Sequence, residues 1–219
     1  MIFHFNSMVP WSPLIYVALV LVFSAVVKPP IRFLAEQGAL SLWDERVSRL
    51  FIAGYALGGV VILLAPAPMF ERVSLVLFLG FVLQLSVLDA TAGWLPIEYT
   101  GVTAVSGLLV MWQRDEQHLW AMAGIGTLFA IVRFYCNYRA KREALGLGDV
   151  WLAVALTAWC GWSGTLQALL TGVVGFVLWH ACSSGARKEG PLEGPLGPWL
   201  CAGAMLALIN RVFNPVVVW

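Results

Sequence analysis

The chain has 219 residues, 60% of them hydrophobic and 11% charged, with thirteen basic residues against twelve acidic ones and a formal charge of +1. Soluble domains run at roughly 45–50% apolar and about 25% charged, so a water-soluble globule is excluded, and low charge with abundant aromatics is the reverse of the disorder signature. The near-neutral balance leaves no electrostatic footprint for nucleic acid, and the expected solvent is the lipid of a bilayer.

A helix needs about 20 apolar residues to cross about 30 Å of hydrocarbon. Stretches free of Asp, Glu, Lys and Arg run over 1–27, 50–70, 73–88, 99–113, 119–132, 150–186 and 194–210. No Lys or Arg precedes the first run and no A-x-A site closes it, so the first span is expected to stay rather than be cleaved. The run 150–186 is too long for one crossing, and its Gly161-Trp162-Ser163-Gly164 break predicts two helices joined by a tight turn. The expected fold is an all-α polytopic membrane protein, a single domain over 1–219 with about eight transmembrane helices. The segment 28–50 is read as a short loop, the only one long enough for extra structure.

Orientation follows from loop charge, because short cytoplasmic loops carry the excess of Lys and Arg. With both termini outside, the loops 28–50, 89–96, 137–149 and 183–197 are cytoplasmic and hold Lys28, Arg32, Arg46, Arg49, Arg139, Lys141, Arg142, Arg187 and Lys188. The opposite side holds Arg72, Arg114 and Arg211, and Arg133 lies within a span near its end, where it can snorkel to the interface. Trp11, Trp94, Trp112, Trp120 and Trp199 read as interfacial belt residues. Cys136, Cys160, Cys182 and Cys201, widely spaced and without a C-x-x-C, read as small core residues rather than disulfides or zinc ligands. His180, without a second ligand at helical spacing, reads as a packing residue.

Of the four Asp residues, Asp44 and Asp115 stand among other charges and read as solvated surface. Asp89 and Asp149 differ. Asp89 ends the uncharged run 73–88, and Asp149 begins another directly after Gly146-Leu147-Gly148. Taken singly, an Asp at a helix start is a cap. As a pair, the two fall on the same cytoplasmic face although 60 residues apart in the chain. Two carboxylates brought together hold one proton between them, so the pair is base and acid at once. That is what aspartyl proteolysis needs: one Asp deprotonates a water that attacks the scissile carbonyl, and the other polarises that carbonyl and protonates the leaving amine. Gly146 and Gly148 remove side chains beside Asp149 and leave room for a peptide backbone.

These residues resemble the type IV prepilin peptidases, membrane aspartyl proteases of the G-x-G-D class. The likeness covers about 80–102 and 139–202. Asp89, Leu95-Pro96 and Thr100 fit the family's first block; Glu143, Gly146-Leu147-Gly148-Asp149 and the helix from Leu152 to Trp162 fit the second; Gly194-Pro195-Leu196-Gly197-Pro198 resembles the P-F-G-P segment before the family's last span. The P-A-L element of presenilin-like proteases is not found. Where the family often has Asp after Leu-Pro, Ile97 and then Glu98 stand here, and Trp151 replaces the usual Lys two residues after the second Asp.

The resemblance implies an aspartic endopeptidase of the bacterial inner membrane that removes the short basic leader of type IV prepilins or pseudopilins, cutting after a Gly on the cytoplasmic side. The roles it implies are catalysis for Asp89 and Asp149, and substrate binding or support for Gly146, Gly148, Glu143, Pro96 and Glu98. No cofactor or metal is implied. Larger members carry a cytoplasmic domain with two C-x-x-C pairs, associated with N-methylation; here its place is taken by the cysteine-free 28–50, so peptidase activity is expected without methyltransferase activity. The alternative from the residues alone is a non-catalytic transporter or assembly subunit in which both aspartates are structural.

Overall fold

A computed structural model describes residues 9–38, 45–111, 117–143, 145–183 and 194–213. Asp44, Trp112, Arg114, Asp115, Arg187 and Lys188 lie outside the described residues. Within them the secondary structure is helical and without strands: a short 3-10 turn at Val9–Trp11, then α1 (Ser12–Val26), α2 (Lys28–Glu36), α3 (Glu45–Leu64), α4 (Met69–Ala92), α5 (Ile97–Met111), α6 (Gln117–Ala140), α7 (Leu147–Ser183) and α8 (Gly197–Phe213).

Proline and glycine set the breaks. Pro29 and Pro30 stand in the first turn of α2, where missing N–H groups cost little, so the helical hydrogen bonding is interrupted at Val27 and resumes as a second helix. The segment read as a loop over 28–50 is therefore helical at both ends, with α2 at one and the first turns of α3 at the other. Pro66 and Pro68 separate α3 from α4, and Arg72, buried in the first turn of α4, donates from Nη1 to the Leu63 carbonyl at 2.7 Å. α4 ends at Gly93, whose φ of 68° is left-handed and whose N–H bonds the Asp89 carbonyl at 2.9 Å.

α7 contains one residue of non-helical geometry, Gly161, with φ 67° and ψ −171°. The chain reverses there. Asp149 and Phe176 line one cavity, whereas a straight helix would hold them about 40 Å apart. The hairpin expected at 161–164 is thus present, with arms 147–160 and 162–183. His118, buried at the start of α6, donates from Nδ1 to the Ala158 carbonyl at 3.2 Å. That carbonyl belongs to the last turn of the first arm, where helix carbonyls lose their intrahelical partners.

The core centres on α4, which packs against α3, α5 and α8 and buries Leu75, Phe78, Leu79, Val82 and Leu83. Trp159 of α7 is fully buried among them. Its ring lies 5.1 Å from Phe78 and 6.2 Å from Phe81, and its indole N–H donates to the Thr103 carbonyl at 2.8 Å, which ties α4, α5 and α7 together. Close helix contact depends on small residues: a Cβ on Gly107 would lie 2.6 Å from Trp159 Cδ1, and one on Gly203 would lie 2.2 Å from the Ala168 carbonyl oxygen. Buried hydroxyls bond back to their own helices, as Thr91 does to Val87 and Thr157 to Ala153.

The outer surface is apolar, with Leu14, Leu109, Phe134, Tyr138 and Leu170 pointing outward, the reverse of a soluble protein and suited to hydrocarbon. Five helices among the described residues are long and apolar enough to cross a membrane, namely Ser12–Glu36, Glu45–Leu64, Met69–Ala92, Gln117–Ala140 and Leu147–Cys182, and Ile97–Met111 and Gly197–Phe213 are shorter apolar helices. Cys160 and Cys201 are buried as expected of core residues, whereas Cys182 is exposed and Cys136 half-buried; all four are free thiols.

Candidate active site

A cavity of about 630 Å³ opens where α4 ends and α7 begins. It is lined by Asp89, by 93–95 after α4, by Glu143 and 145–149 before and at the start of α7, by Phe176 on the returning arm, and by 194–196 before α8. Three of the four segments assigned to one face by the loop charges therefore meet at one place.

Asp89 is 6% exposed, on the last turns of α4. Its Oδ2 accepts a hydrogen bond from the Gly197 N–H at 2.8 Å, at the first residue of α8. A helix N-terminus offers free N–H groups and positive potential, so it stabilises a carboxylate. Gly197 permits this approach because a Cβ there would lie 2.7 Å from Asp89 Oδ2 and 2.9 Å from Cγ.

Asp149 is half-buried in the first turn of α7, directly after Gly146-Leu147-Gly148. The two acids are near enough for the charge of Asp149 to act on Asp89. Gly148 faces inward to the protein: a Cβ there would lie 3.1 Å from Leu95 Cβ and 3.4 Å from the Leu95 backbone. It seats the Gly146-Leu147-Gly148-Asp149 turn on the segment that follows α4, and its missing side chain is filled by Leu95.

The remaining expected residues divide. Glu143 lines the cavity and is paired with Arg133, whose Nη2 donates to Oε1 at 2.9 Å. Pro96 and Glu98 do not line it. Pro96 is buried, with its carbonyl accepting from the N–H groups of Tyr99 and Thr100 at 3.2 Å, so it starts α5; Glu98 is exposed in the first turn of that helix. Sequence reasoning missed Gly197 and Phe176 as parts of the site. The likeness of 194–198 to P-F-G-P was the available signal for the first; nothing in the sequence marks the second. Trp94, taken for a belt residue, lines the cavity with its ring 6.2 Å from Phe33, and Trp199 packs on Trp179 at 5.9 Å. His180 packs on Phe176, with ring centroids 6.0 Å apart.

The apolar helical bundle and the paired acids define an all-helical membrane protein with a two-carboxylate cleft. The model of the type IV leader peptidase family matches residues 76–180, a range that holds both acids. A prepilin leader peptidase/N-methyltransferase of Pectobacterium carotovorum subsp. carotovorum is 34% identical over 176 residues, covering 75% of this chain and 56% of that protein. One of Escherichia coli K12 is 30% identical over 174 residues, covering 76% of this chain and 74% of its own length. Leader peptidase HopD of Salmonella typhimurium is 31% identical over 141 residues, 60% of this chain and 89% of that protein. The chain thus spans little more than half of the Pectobacterium protein and most of the two others. It belongs to the type IV leader peptidase family. No solved structure matches it.

Proposed function

We propose that this chain is a membrane-embedded aspartyl endopeptidase that removes the short basic leader of type IV prepilins or pseudopilins, cutting after a Gly. The observation that carries the reading is the meeting of Asp89 and Asp149, remote in sequence, on one open cavity. One carboxylate, ionised, takes a proton from water as the water oxygen bonds the scissile carbonyl carbon. The other, protonated, polarises the carbonyl oxygen. Collapse of the tetrahedral adduct breaks the C–N bond, and the leaving amine takes up a proton from the pair.

The walls suit the substrate. Leu95, Leu147, Phe176 and Leu196 offer apolar contact to the start of a hydrophobic helix, and Glu143 lies at the same cavity, where the basic leader would pass. The membrane arrangement that goes with this reading has eight crossings, namely α1, α3, α4, α5, α6, the two arms of α7, and α8, with α2 in the cytoplasmic segment that follows the first. Both termini are outside, and the cleft opens at the cytoplasmic face of a bacterial inner membrane. The chain acts as one peptidase domain, with 28–50 standing where larger relatives carry their methyltransferase segment.

The test is co-expression with a type IV prepilin, reading the mobility of the substrate for wild type, Asp89→Asn and Asp149→Asn, with each protein's level in the membrane checked. Processing by wild type alone is the expected result. Processing by all three removes these acids from the mechanism, and a wild type that processes none of a panel of prepilins refutes the activity and favours a transporter or assembly subunit.

A further inference from the structure

We propose that Arg133 and Asn137 of α6 are positioning residues that hold the turn carrying Asp149. The two stand one helical turn apart and share a face. Arg133 donates from Nε to the Leu145 carbonyl at 3.2 Å and from Nη2 to Glu143 Oε1 at 2.9 Å. Asn137 donates from Nδ2 to the same carbonyl at 3.3 Å, and its Oδ1 accepts the Leu145 N–H at 3.0 Å. Both backbone polar groups of Leu145 are thus bound by side chains of α6.

That pattern has a physical reason. Leu145 lies outside the helices, just ahead of Gly146, and has no ladder or helix of its own to join. Its N–H and C=O are obligatory hydrogen-bonding groups, and an amide side chain that both accepts and donates matches them in one reciprocal contact. Arg133 adds a planar, permanently charged fork that reaches a carbonyl and a carboxylate together. On the opposite side, Gly148 is seated on Leu95. The turn is therefore gripped from two directions, which sets the backbone from which the Asp149 side chain projects. Snorkelling, the role the sequence offered for Arg133, would not direct its guanidinium onto both Glu143 and the Leu145 carbonyl.

The inference rests on the proposed peptidase reading for its catalytic consequence, and its test has one readout that does not. Hydrogen exchange of the full chain in detergent is compared for wild type, Asn137→Ala, Asn137→Asp and Arg133→Lys. Asn137→Ala is expected to speed exchange of the Leu145 amide about 10-fold or more, with α4 and α8 unchanged, because the amide loses its acceptor. Asn137→Asp keeps an acceptor and recovers the protection. In prepilin cleavage, Asn137→Ala and Arg133→Lys are expected to lower kcat about 10–100-fold with KM within about 2-fold, the cost of a misplaced catalytic group. Unchanged exchange at Leu145, or an equal rise throughout the bundle, overturns the inference; so does a KM increase at constant kcat. A wild type that cleaves nothing sinks the peptidase reading, while the exchange of Leu145 still decides whether the clamp exists.

Discussion

Gly197→Ala is the sharpest perturbation of the cleft that leaves both acids in place. The added Cβ would lie 2.7 Å from Asp89 Oδ2, 2.9 Å from Cγ and 3.0 Å from Cβ. Ordinary contact begins near 3.4 Å, so carboxylate and helix start must separate by roughly 0.7 Å, which stretches the 2.8 Å hydrogen bond to about 3.5 Å, beyond useful range. A hydrogen bond to a charged group contributes about 1.5–3 kcal/mol, and a misplacement near 1 Å costs on the order of 100-fold in rate. The expected outcome is a 10–100-fold fall in the rate of prepilin cleavage at saturating substrate. Gly101→Ala on α5, whose Cβ would meet nothing within 4 Å, is the matched control and should cleave as wild type does. The assay follows leader removal from a purified prepilin in detergent, with thermal unfolding of each variant alongside. Wild-type turnover by Gly197→Ala would refute the claim that the start of α8 sets the geometry of Asp89.

Three further outcomes follow from the packing. Gly161→Ala places a side chain at φ 67° and ψ −171°, a backbone region essentially confined to glycine, with the His118 ring 3.3 Å away; it should cost roughly 1–3 kcal/mol, measured by thermal unfolding, and wild-type stability would contradict that geometry. Gly203→Leu must push α8 from the Ala168 carbonyl, which its Cβ would approach to 2.2 Å; a marked loss of folded protein in the membrane is expected, and normal yield would contradict so close a contact. Trp159→Ala removes a fully buried ring together with its bond to Thr103; a loss of about 3–5 kcal/mol in unfolding free energy is expected.

Much of the cleft was legible because charge in an apolar chain is conspicuous. Asp89 and Asp149 stood out against uncharged runs, and loop charges put them on one face. The turn at 161–164 was legible for a similar reason, since no single crossing needs the length of 150–186. Hydrophobic patterning says little about which helices adjoin when lipid and protein interior are both apolar, so the seating of Gly203 on α7 and of Gly107 on Trp159 could not be read. Phe176 was hidden in the same way, as one apolar residue among many on an arm whose return brings it to the cavity. Arg133 was visible as a charge, but its partners, Glu143 and the Leu145 carbonyl, lie beyond the end of its own helix, and nothing in the sequence pairs them with it. The helix α2 was masked by its charges, which made 28–36 resemble a loop.

The bond between Gly197 and Asp89 spans 108 residues, and that separation bears on biogenesis. As the chain is made from its N-terminus, both acids are synthesised before α8. Until α8 docks, Asp89 lacks its backbone donor and 194–196 cannot close its side of the cavity. Docking of α8 therefore supplies both the backbone donor of Asp89 and one wall of the cavity, so the cleft is complete only once this helix has packed against α4.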